Sequence, residues 1–252
     1  MSRNVEISAT IVLYKNGIEI VQKTIDNFLE LPISKKLYLI DNSPSNILQK
    51  HFSNPNIEYK FVGKNSGFSK AHNLILEELK NNSKYHLILN PDVVFEPEDI
   101  PKLIQELEKE EDVVMIAPKV IYPNGKMQYT CRKHPTFLEL IYRRLGIKKE
   151  FTQQQEYRNL DLTKPFYPEF IHGCFMLFKT TDFINLNGFD ERYFLYLEDA
   201  DICREIEAQQ KRIRYFSEVT IQHQHQKGSS KNIMLLLYHF SSALKYFKKW
   251  KN

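Results

Sequence analysis

The sequence is poor in cysteine and glycine and has no long apolar run, and each shortage excludes a class of protein. Three widely spaced cysteines without a CxxC pair exclude a disulfide framework or a zinc ribbon and predict buried reduced thiols. Eight glycines in 252 residues argue against propellers and repeat arrays. The N-terminus lacks a signal peptide, and no run approaches the ~20 residues of a membrane span, so we expect a cytoplasmic protein.

Composition and charge are those of a globular protein. Hydrophobic residues make up 42% of the chain and charged residues 26%, which excludes a disordered protein. Six of the 35 basic residues and none of the 31 acidic ones follow residue 226, so the net positive charge belongs to the tail. A broad nucleic-acid-binding surface is therefore not expected.

The first 118 residues alternate strand-like and helix-like patterns. Apolar runs without clean alternation, separated by amphipathic segments, predict a parallel sheet that helices cover on both faces. Ligands bind such sheets beyond the carboxyl ends of the strands, so we interpret this half as nucleotide-binding. The five predicted strands are Val5–Tyr14, Leu37–Ile40, Ile57–Val62, Tyr85–Leu89 and Val113–Ala117.

The second half is less regular. Residues 119–169 hold a hairpin turn at Pro123-Asn124-Gly125 and a basic patch, and we interpret them as an insertion. Beyond it, strands are predicted at Phe170–Phe178, Arg212–Phe216 and Val219–Ile221, and helices at 198–209 and 233–250. The last helix has an apolar stripe and a lysine-rich end. It either packs on the domain, lies on an anionic lipid surface or enters a dimer interface.

One aspartate, one acidic cluster and a histidine pair are candidate catalytic or metal-binding residues. Asp92 ends a buried strand, where it either makes a turn with Asn90 or binds a divalent cation that bridges a diphosphate. Glu198 and Asp199, with Asp201, begin a helix after an aromatic stretch. One of them is enough to cap a helix, and a carboxylate among aromatic residues could act as a general base.

His223 and His225 follow a strand at alternate positions, so they lie on one face and are candidate metal ligands. A packed or surface role is equally open for each. Beyond them, Gly228-Ser229-Ser230 could approach phosphates through backbone N–H groups.

The order of several motifs resembles a known family. The segments ATIVLYKN, LIDNSPS, GKNSGFSKAHN, LILNPDV, APKVIYPNGKMQ, HGCFMLFKTTDFINLNGFDERYFLYLEDADICRE and HQKGSS follow one another between residues 9 and 230. Together they resemble the family 2 glycosyltransferases of GT-A fold, especially their bacterial rhamnosyltransferase-like branch. The resemblance implies a Rossmann-like, mostly parallel α/β sheet flanked by helices. It divides the chain into a catalytic domain (1–230, with a nucleotide-binding half 1–118 and an acceptor-side half 119–230) and a basic amphipathic C-terminal helix (231–252).

The same resemblance implies an activity and its residues. A sugar would pass, with inversion, from a nucleotide-diphosphate donor to a hydroxyl of a growing cell-surface polysaccharide, with Asp199 as catalytic base and Glu198 beside it. Mg²⁺ or Mn²⁺ would be held by Asp92 and by His225, whose H-x-x-G-x-S spacing fits better than that of His223. The positions matching the nucleotide-sugar pocket are Thr10, Tyr14, Asp41, Asn65, Gly67, Phe68, Asn73 and Asn90.

Partners and alternatives follow from the resemblance. The branch suggests dTDP-rhamnose as donor and a lipid-linked saccharide as acceptor, with peripheral contact to the inner face of the cell membrane through the C-terminal helix. Many relatives have an aspartate where this chain has Asn90, which weakens the expected metal site. A non-catalytic nucleotide-sugar-binding protein is one alternative. A sugar nucleotidylyltransferase is another, although YKNGIEI after the first strand lacks the glycine-rich loop with a basic residue of that class.

Overall fold

A nine-stranded mixed sheet forms the centre of the computed structural model, which describes residues 5–224 and 233–250. Its strands are β1 (Val5–Leu13), β2 (Lys35–Asp41), β3 (Ile57–Phe61), β4 (Ser83–Leu89), β5 (Val93–Val94), β6 (Val113–Ile121), β7 (Met127–Gln128), β10 (Phe175–Lys179) and β11 (Arg212–His223). Their order is β3-β2-β1-β4-β10-β6-β11-β5, with β7 beside β6. Two further short strands, β8 (Cys131–Arg132) and β9 (Phe170–Ile171), pair with each other.

Helices cover both faces of this sheet. They are α1 (Ile18–Leu29), α2 (Phe68–Asn73), α3 (Leu76–Leu79), α4 (Asp99–Leu107), α5 (Phe137–Leu145), α6 (Lys149–Gln155), α7 (Thr180–Asn185), α8 (Glu198–Ala208) and α9 (Ile233–Trp250). The apolar sides of α1 and α4 enter one core layer, and those of α2, α3, α7, α8 and α9 enter the other. The predicted α/β architecture, with a central sheet flanked by helices and a C-terminal helix, is confirmed, and the sheet is mixed, with four parallel and four antiparallel strand pairs.

The parallel part of the sheet follows the sequence pattern closely. β1 pairs in parallel with both β2 and β4, and β2 pairs in parallel with β3. The interior of β1 is buried on both faces, which explains why its sequence does not alternate between apolar and polar residues. The loops after β2, β3 and β4 therefore meet at one edge of the sheet.

An antiparallel strand interrupts that pattern. β10 lies between β4 and β6 and runs against both. The expected strand Phe170–Phe178 is also not continuous, because the chain leaves extended pairing at residues 172–174. The backbone of Gly173 there donates a hydrogen bond to Asp199, so it is not available for a sheet ladder.

Two smaller differences concern continuity. The two strands predicted at 212–216 and 219–221 form one strand, β11, with a register shift between Phe216 and Thr220. The helical segment after β3 is likewise not continuous: it is divided into α2 and α3, since Ile75 leaves helical backbone geometry (φ −112°, ψ 7°).

The insertion has more structure than expected. The turn at Pro123-Asn124-Gly125 closes the β6–β7 hairpin, as predicted. The helices α5 and α6 were not predicted. The Thr136 hydroxyl caps α5 by accepting a hydrogen bond from the Glu139 N–H (3.2 Å), and left-handed Gly146 ends it. This Thr-x-x-Glu pattern before an apolar stretch was a signal in the sequence.

The C-terminal helix α9 packs on the domain through one side. Ala243 and Tyr246 are buried in the core layer that also contains α8. The Ser242 hydroxyl donates a hydrogen bond to the Leu195 carbonyl oxygen (2.9 Å). No helix within the described ranges is long and apolar enough to cross a membrane. All three cysteines are buried and free, as predicted.

Candidate active site

Asp41 occupies the carboxyl end of β2 and is fully buried. One of its oxygens accepts a hydrogen bond from the Ser43 N–H (2.8 Å), and the other accepts one from the Tyr59 hydroxyl. Burial and this contact with Asp41 raise the pKa of Tyr59, so its hydroxyl stays a donor. The carboxylate is thus fixed in orientation and keeps lone pairs that could accept further N–H groups.

The loop after β3 touches the segment that precedes α8. The Asn65 side chain accepts a hydrogen bond from the Gly67 N–H (3.1 Å), and the Phe68 N–H donates to the Phe194 carbonyl oxygen (2.8 Å). Gly67 has φ +86°, and a Cβ there would lie 2.4 Å from that carbonyl oxygen. Only glycine satisfies both the backbone conformation and this close approach. The loop on the predicted donor side is therefore joined to the predicted acceptor side.

Three other predicted nucleotide-pocket residues have different environments. Thr10 is fully buried within β1, with its hydroxyl 3.1 Å from His86 Nε2. The Asn73 side chain makes hydrogen bonds to the Phe189 backbone, at 2.7 Å to the carbonyl oxygen and 2.9 Å to the N–H. Tyr14, beyond the end of β1, is 45% exposed. Thr10 and Asn73 thus support the surrounding fold, and their contact with a nucleotide stays a prediction.

Asp92 lies beside His223, the histidine of the pair whose spacing fits the family pattern less well. His223 Nε2 is 3.3 Å from Asp92 Oδ1 and 3.4 Å from the Asn90 amide nitrogen, and His223 Nδ1 is 3.1 Å from Gln128 Oε1. Burial lowers the pKa of His223, but Cys174 and Asp92 together outweigh it and raise that pKa to about 10. His225, which the spacing favoured, lies outside the described residues, as do Gly228, Ser229 and Ser230.

Long-range pairing is what brings His223 to Asp92. β11 pairs with the two-residue strand β5, and His223 lies opposite Val93 in that register. The alternation of the two histidines was visible in the sequence, but the partner of β11 was not. Sequence reasoning therefore named the pair without identifying which member faces Asp92.

A carboxylate and an imidazole form the donor set for a cation here. Within residues 5–224 and 233–250, no three side chains of His, Cys, Asp or Glu converge on one point. Asp92 with His223 is chemically suited to Mn²⁺ or Mg²⁺ only as part of a coordination shell, because these ions prefer about six ligands, mostly oxygen. The remaining ligands would have to come from phosphate oxygens or water.

Asp199 lies in the first turn of α8, after two residues with left-handed backbone, Tyr196 and Leu197. Its carboxylate accepts hydrogen bonds from the Gly173 N–H (3.0 Å) and the Ala200 N–H (2.9 Å). Burial raises the pKa of Asp199, although these backbone donors and nearby Arg132 oppose the shift. A carboxylate that is fixed in position and has a raised pKa is suited to accept a proton.

Glu198 is a buried acid next to Asp199. Burial first, and then the neighbouring Asp199 charge, raise its pKa well above the ordinary value. Its Oε2 atom meets no hydrogen-bond partner among the residues that the structure describes. Glu198 therefore holds its proton to a higher pH than an ordinary glutamate does.

The third acid of the cluster, Asp201, has a structural role. Its carboxylate accepts hydrogen bonds from the Tyr193 hydroxyl (3.0 Å), the Trp250 indole (2.8 Å) and Lys249 Nζ (2.7 Å). Two of these partners belong to α9. Asp201 thus attaches the C-terminal helix to α8.

Arg132, which the sequence showed only as part of a basic patch, is another charged neighbour of the site. It is largely buried on β8, with Nη2 2.7 Å from Glu156 and Nη1 3.7 Å from Glu139. Its positive charge is close enough to act on Asp199. The pairing of β8 with β9 brings it there, and local sequence patterns do not predict that pairing.

A three-residue segment, His172-Gly173-Cys174, connects the two candidate halves of the site. The Cys174 carbonyl oxygen accepts a hydrogen bond from the Asn90 N–H (2.9 Å), while the Gly173 N–H donates to Asp199. A Cβ on Gly173 would lie 3.3 Å from Asp199 Cβ. The turn that carries Asp92 and the helix that carries Asp199 are therefore both held by the same short segment.

Comparison with known proteins identifies the family. The model of the glycosyl transferase family 2 matches residues 9–183, and that of the N-terminal domain of galactosyltransferase matches residues 158–227. The chain is 24% identical to rhamnosyltransferase WbbL of Escherichia coli K12, over 95% of this chain and 92% of that protein. It is also 24% identical to an N-acetylglucosaminyl-diphospho-decaprenol L-rhamnosyltransferase of Mycobacterium tuberculosis, over 64% of this chain and 56% of that one.

Solved structures share the fold at lower identity. GalNAc-T7, solved with UDP, GalNAc and Mn²⁺, aligns with a TM-score of 0.66 at 13% identity, over 87% of this chain and 43% of that one. The mannosyltransferase PcManGT of Pyrobaculum calidifontis, solved with GDP-Man and Mn²⁺, gives 0.62 at 15%, over 96% and 65%. These likenesses show a GT-A fold. The family model covers more than half of the chain, which therefore belongs to the glycosyl transferase family 2 and is a glycosyltransferase.

Proposed function

We propose that this glycosyltransferase transfers a sugar with inversion from a nucleotide-diphosphate donor to a saccharide hydroxyl, with Asp199 as general base. The observation that carries the proposal is the attachment of both the Asp199 carboxylate and the Asn90-Pro91-Asp92 turn to residues 172–174. One carboxylate thus lies where a donor diphosphate is expected, beyond the end of β4, and the other is bound by the same short segment.

The transfer step needs one base and one line of attack. The acceptor oxygen forms a bond to the anomeric carbon as the bond from that carbon to the diphosphate oxygen breaks, and the acceptor proton moves to a free lone pair of Asp199. The Gly173 and Ala200 N–H groups hold this carboxylate in position. General-base assistance of this kind contributes roughly 10²–10⁴-fold to a rate.

Asp92 and His223 are the described residues that would hold a divalent cation, and His225 stays a predicted ligand outside the described range. A Mg²⁺ or Mn²⁺ ion bound there would neutralise charge on the leaving diphosphate. The Mn²⁺ in the GalNAc-T7 and PcManGT structures supports a cation of this kind. Asn90, which stands in the same turn, contributes an uncharged amide and would leave the protein part of the site weak without the donor.

The nucleotide is assigned to the edge formed by the ends of β2 and β3. Asp41 has the fixed geometry needed to accept hydrogen bonds from a nucleobase, and the loop at Asn65 and Gly67 lies next to it through Asn42, whose amide donates to the Gly67 carbonyl oxygen (3.0 Å). The UDP and GDP-Man of the solved relatives support a nucleoside diphosphate at this edge.

We infer dTDP-rhamnose as the donor sugar nucleotide and a lipid-linked saccharide of a surface polysaccharide as the acceptor. The names of the E. coli and M. tuberculosis relatives, both rhamnosyltransferases, support the sugar, and the second name also supports an acceptor on a diphospho-lipid. The chain spans 92% of the E. coli protein, so that relative is comparable over nearly its whole length.

A donor panel tests this function. Purified protein is incubated with Mn²⁺ or Mg²⁺ and with dTDP-rhamnose, UDP-hexoses or GDP-mannose, and the released nucleoside diphosphate is measured. Release from dTDP-rhamnose above the other donors, faster with a diphospho-lipid saccharide, is the expected result. Release from a different donor would contradict dTDP-rhamnose as the donor. Binding of a donor without any release, in the presence of an acceptor, would contradict the sugar-transfer activity.

A further inference from the structure

The outward side of α9 is apolar, and no element within the described residues covers it. Ile233, Leu237, Phe240 and Leu244 recur at intervals of four, three and four residues, which places them on one helix face, and each is more than half exposed. The opposite face is the one that packs on the domain through Ala243 and Tyr246. The apolar stripe therefore does not contribute to the core.

A second helix extends this apolar area. The Phe137 ring of α5 contacts the Phe247 ring of α9, with 5.9 Å between centroids. At the other end of α5, the charges of Arg143 and Arg144 are near enough to His239 to lower its pKa, after the larger effect of burial. The two helices therefore lie side by side and antiparallel. On α5, Phe137, Leu138 and Leu145 are each more than half exposed. We call the exposed sides of these two helices the α5–α9 surface.

Charge on the α5–α9 surface has one sign. α9 contains no acid and three lysines, of which Lys249 is paired with Asp190, Asp201 and Glu205 while Lys245 and Lys248 contact no acid in the described residues. The one acid of α5, Glu139, is buried and lies 3.3 Å from Arg143. Arg144 and Lys248 remain exposed beside the apolar side chains.

We propose that the α5–α9 surface binds the headgroup region of an anionic lipid bilayer. Apolar side chains enter the boundary between headgroups and acyl chains, and the arginine and lysine side chains meet lipid phosphates. A second copy of the chain is less well matched, because two such surfaces would bring like charges together. Contiguous exposed apolar side chains mark an interaction site on a soluble protein, and the basic residues beside these favour an anionic partner.

Docking of the α5–α9 surface on a bilayer also affects how the acceptor arrives, an inference that rests on the proposed function. α9 contacts the loop that leads into Glu198 and Asp199: the Phe194 and Tyr238 rings are 4.5 Å apart, and those of Tyr196 and His239 are 5.2 Å apart. A membrane on the α5–α9 surface would thus lie next to the acceptor side of the site. A saccharide on a lipid diphosphate would then reach Asp199 while its lipid anchor stays in the bilayer.

Vesicle flotation of the full chain tests the docking. The expected result is flotation with phosphatidylethanolamine vesicles that contain phosphatidylglycerol and none with phosphatidylcholine vesicles. Arg144→Glu/Lys248→Glu should weaken binding to the phosphatidylglycerol vesicles by about tenfold or more. The reason is that each basic side chain near an anionic surface strengthens binding several-fold, and the variant reverses two of them. Lys102→Glu/Lys164→Glu, which changes exposed lysines elsewhere, should float like the unchanged protein.

The apolar contribution has its own matched pair. Phe240→Ser should weaken flotation, whereas Ile47→Ser, at a side chain 68% exposed on another part of the molecule, should not. Circular dichroism confirms that both variants are folded. Equal flotation of the two variants, or equal flotation with the neutral vesicles, would overturn the proposal. So would light scattering that shows a dimer which Phe240→Ser abolishes, because the surface would then belong to a second copy.

Donor release without vesicles separates this proposal from the proposed function. Phe240→Ser should release nucleoside diphosphate from a soluble donor at the normal rate and lose activity only with a lipid-linked acceptor in vesicles. Flotation without donor release would leave the membrane surface standing and remove the transferase assignment. Donor release without flotation would do the opposite.

Discussion

The buried carboxylates on the donor side and on the acceptor side of the site differ in their hydrogen-bond partners and in the shift of their pKa values. Asp41 on the donor side receives a hydrogen bond on each oxygen from its own fold. On the acceptor side, Glu198 has an oxygen without a partner among the described residues, and the pKa values of Glu198 and Asp199 are both raised. A carboxylate that orients a ligand gains from being fixed and charged, whereas one that accepts a proton gains from an environment that disfavours its charge.

Asp199→Asn gives the largest expected effect on this comparison. The rate of transfer should fall by roughly 10²–10⁴-fold, because the amide cannot accept the acceptor proton, while donor affinity stays within about twofold. Steady-state transfer and calorimetric donor titration measure the two quantities. The control is Asp201→Asn, which changes a buried acid two residues away that holds Lys249 and Trp250. It should lower the melting temperature and leave the transfer rate of the folded protein nearly unchanged. Equal rates for both variants would contradict the role of Asp199.

Asp92→Ala tests the donor side. The Mn²⁺ concentration for half-maximal donor release should rise by at least about tenfold, because one of the two described candidate ligands is lost. Metal titration of the release rate measures it. Asp161→Ala, at an exposed acid far along the chain, should leave the midpoint where it is. An unchanged midpoint in Asp92→Ala would place the cation elsewhere.

Gly67→Ala tests the junction between the two sides. A methyl group there would collide with the Phe194 carbonyl oxygen in addition to straining a left-handed backbone, so the free energy of unfolding should fall by about 2–3 kcal/mol. Gly125→Ala is the matched control, since Gly125 has φ +79° but open space around its Cβ position. It should cost about 1 kcal/mol, from backbone strain alone. Urea denaturation of both variants measures the difference, and equal losses would mean that the close approach is unimportant.

Glu198→Gln gives the smallest effect, a change of at most ~1.4 kcal/mol per pH unit in the slope of stability against pH. Because the pKa of Glu198 is raised in the folded state, folding binds a proton that the unfolded chain has released above its pKa of 4.5. Stability of the unchanged protein should therefore fall as pH rises above about 5, by up to ~1.4 kcal/mol per pH unit from this group, until the pH passes the raised pKa of Glu198. Glutamine removes that dependence, so the stability curve of the variant should be flatter by this amount. Parallel curves from thermal melts across this range would show that Glu198 is ionised in the folded protein.

The sequence was informative wherever structure depends on neighbours along the chain. The strands of the parallel half, the helix at Glu198 and the long C-terminal helix were all predicted within a few residues of their bounds. The order of the motifs along the chain was also visible in the sequence, and the family resemblance depends on it. The capping residues of α5, Thr136 and Glu139, are a local signal of the same kind.

Features that depend on pairing between distant segments could not be predicted. Nothing local in residues 175–179 indicates that β10 inserts antiparallel between β4 and β6. Nothing near His223 indicates that it faces Val93, and so Asp92, through the β11–β5 pair. Arg132 reaches the neighbourhood of Asp199 through the pairing of β8 with β9. Register across a sheet is a property of the whole core, and single segments do not encode it.

The position of β10 has a consequence for synthesis on the ribosome. β4 and β6 are made before β10, yet β10 separates them in the finished sheet. A nascent chain that ends before residue 175 therefore has two strands whose shared partner has not yet been translated. Joining of β4 to β6 must wait until the ribosome has passed this point, and the segment that then joins them directly follows Gly173, which donates to Asp199.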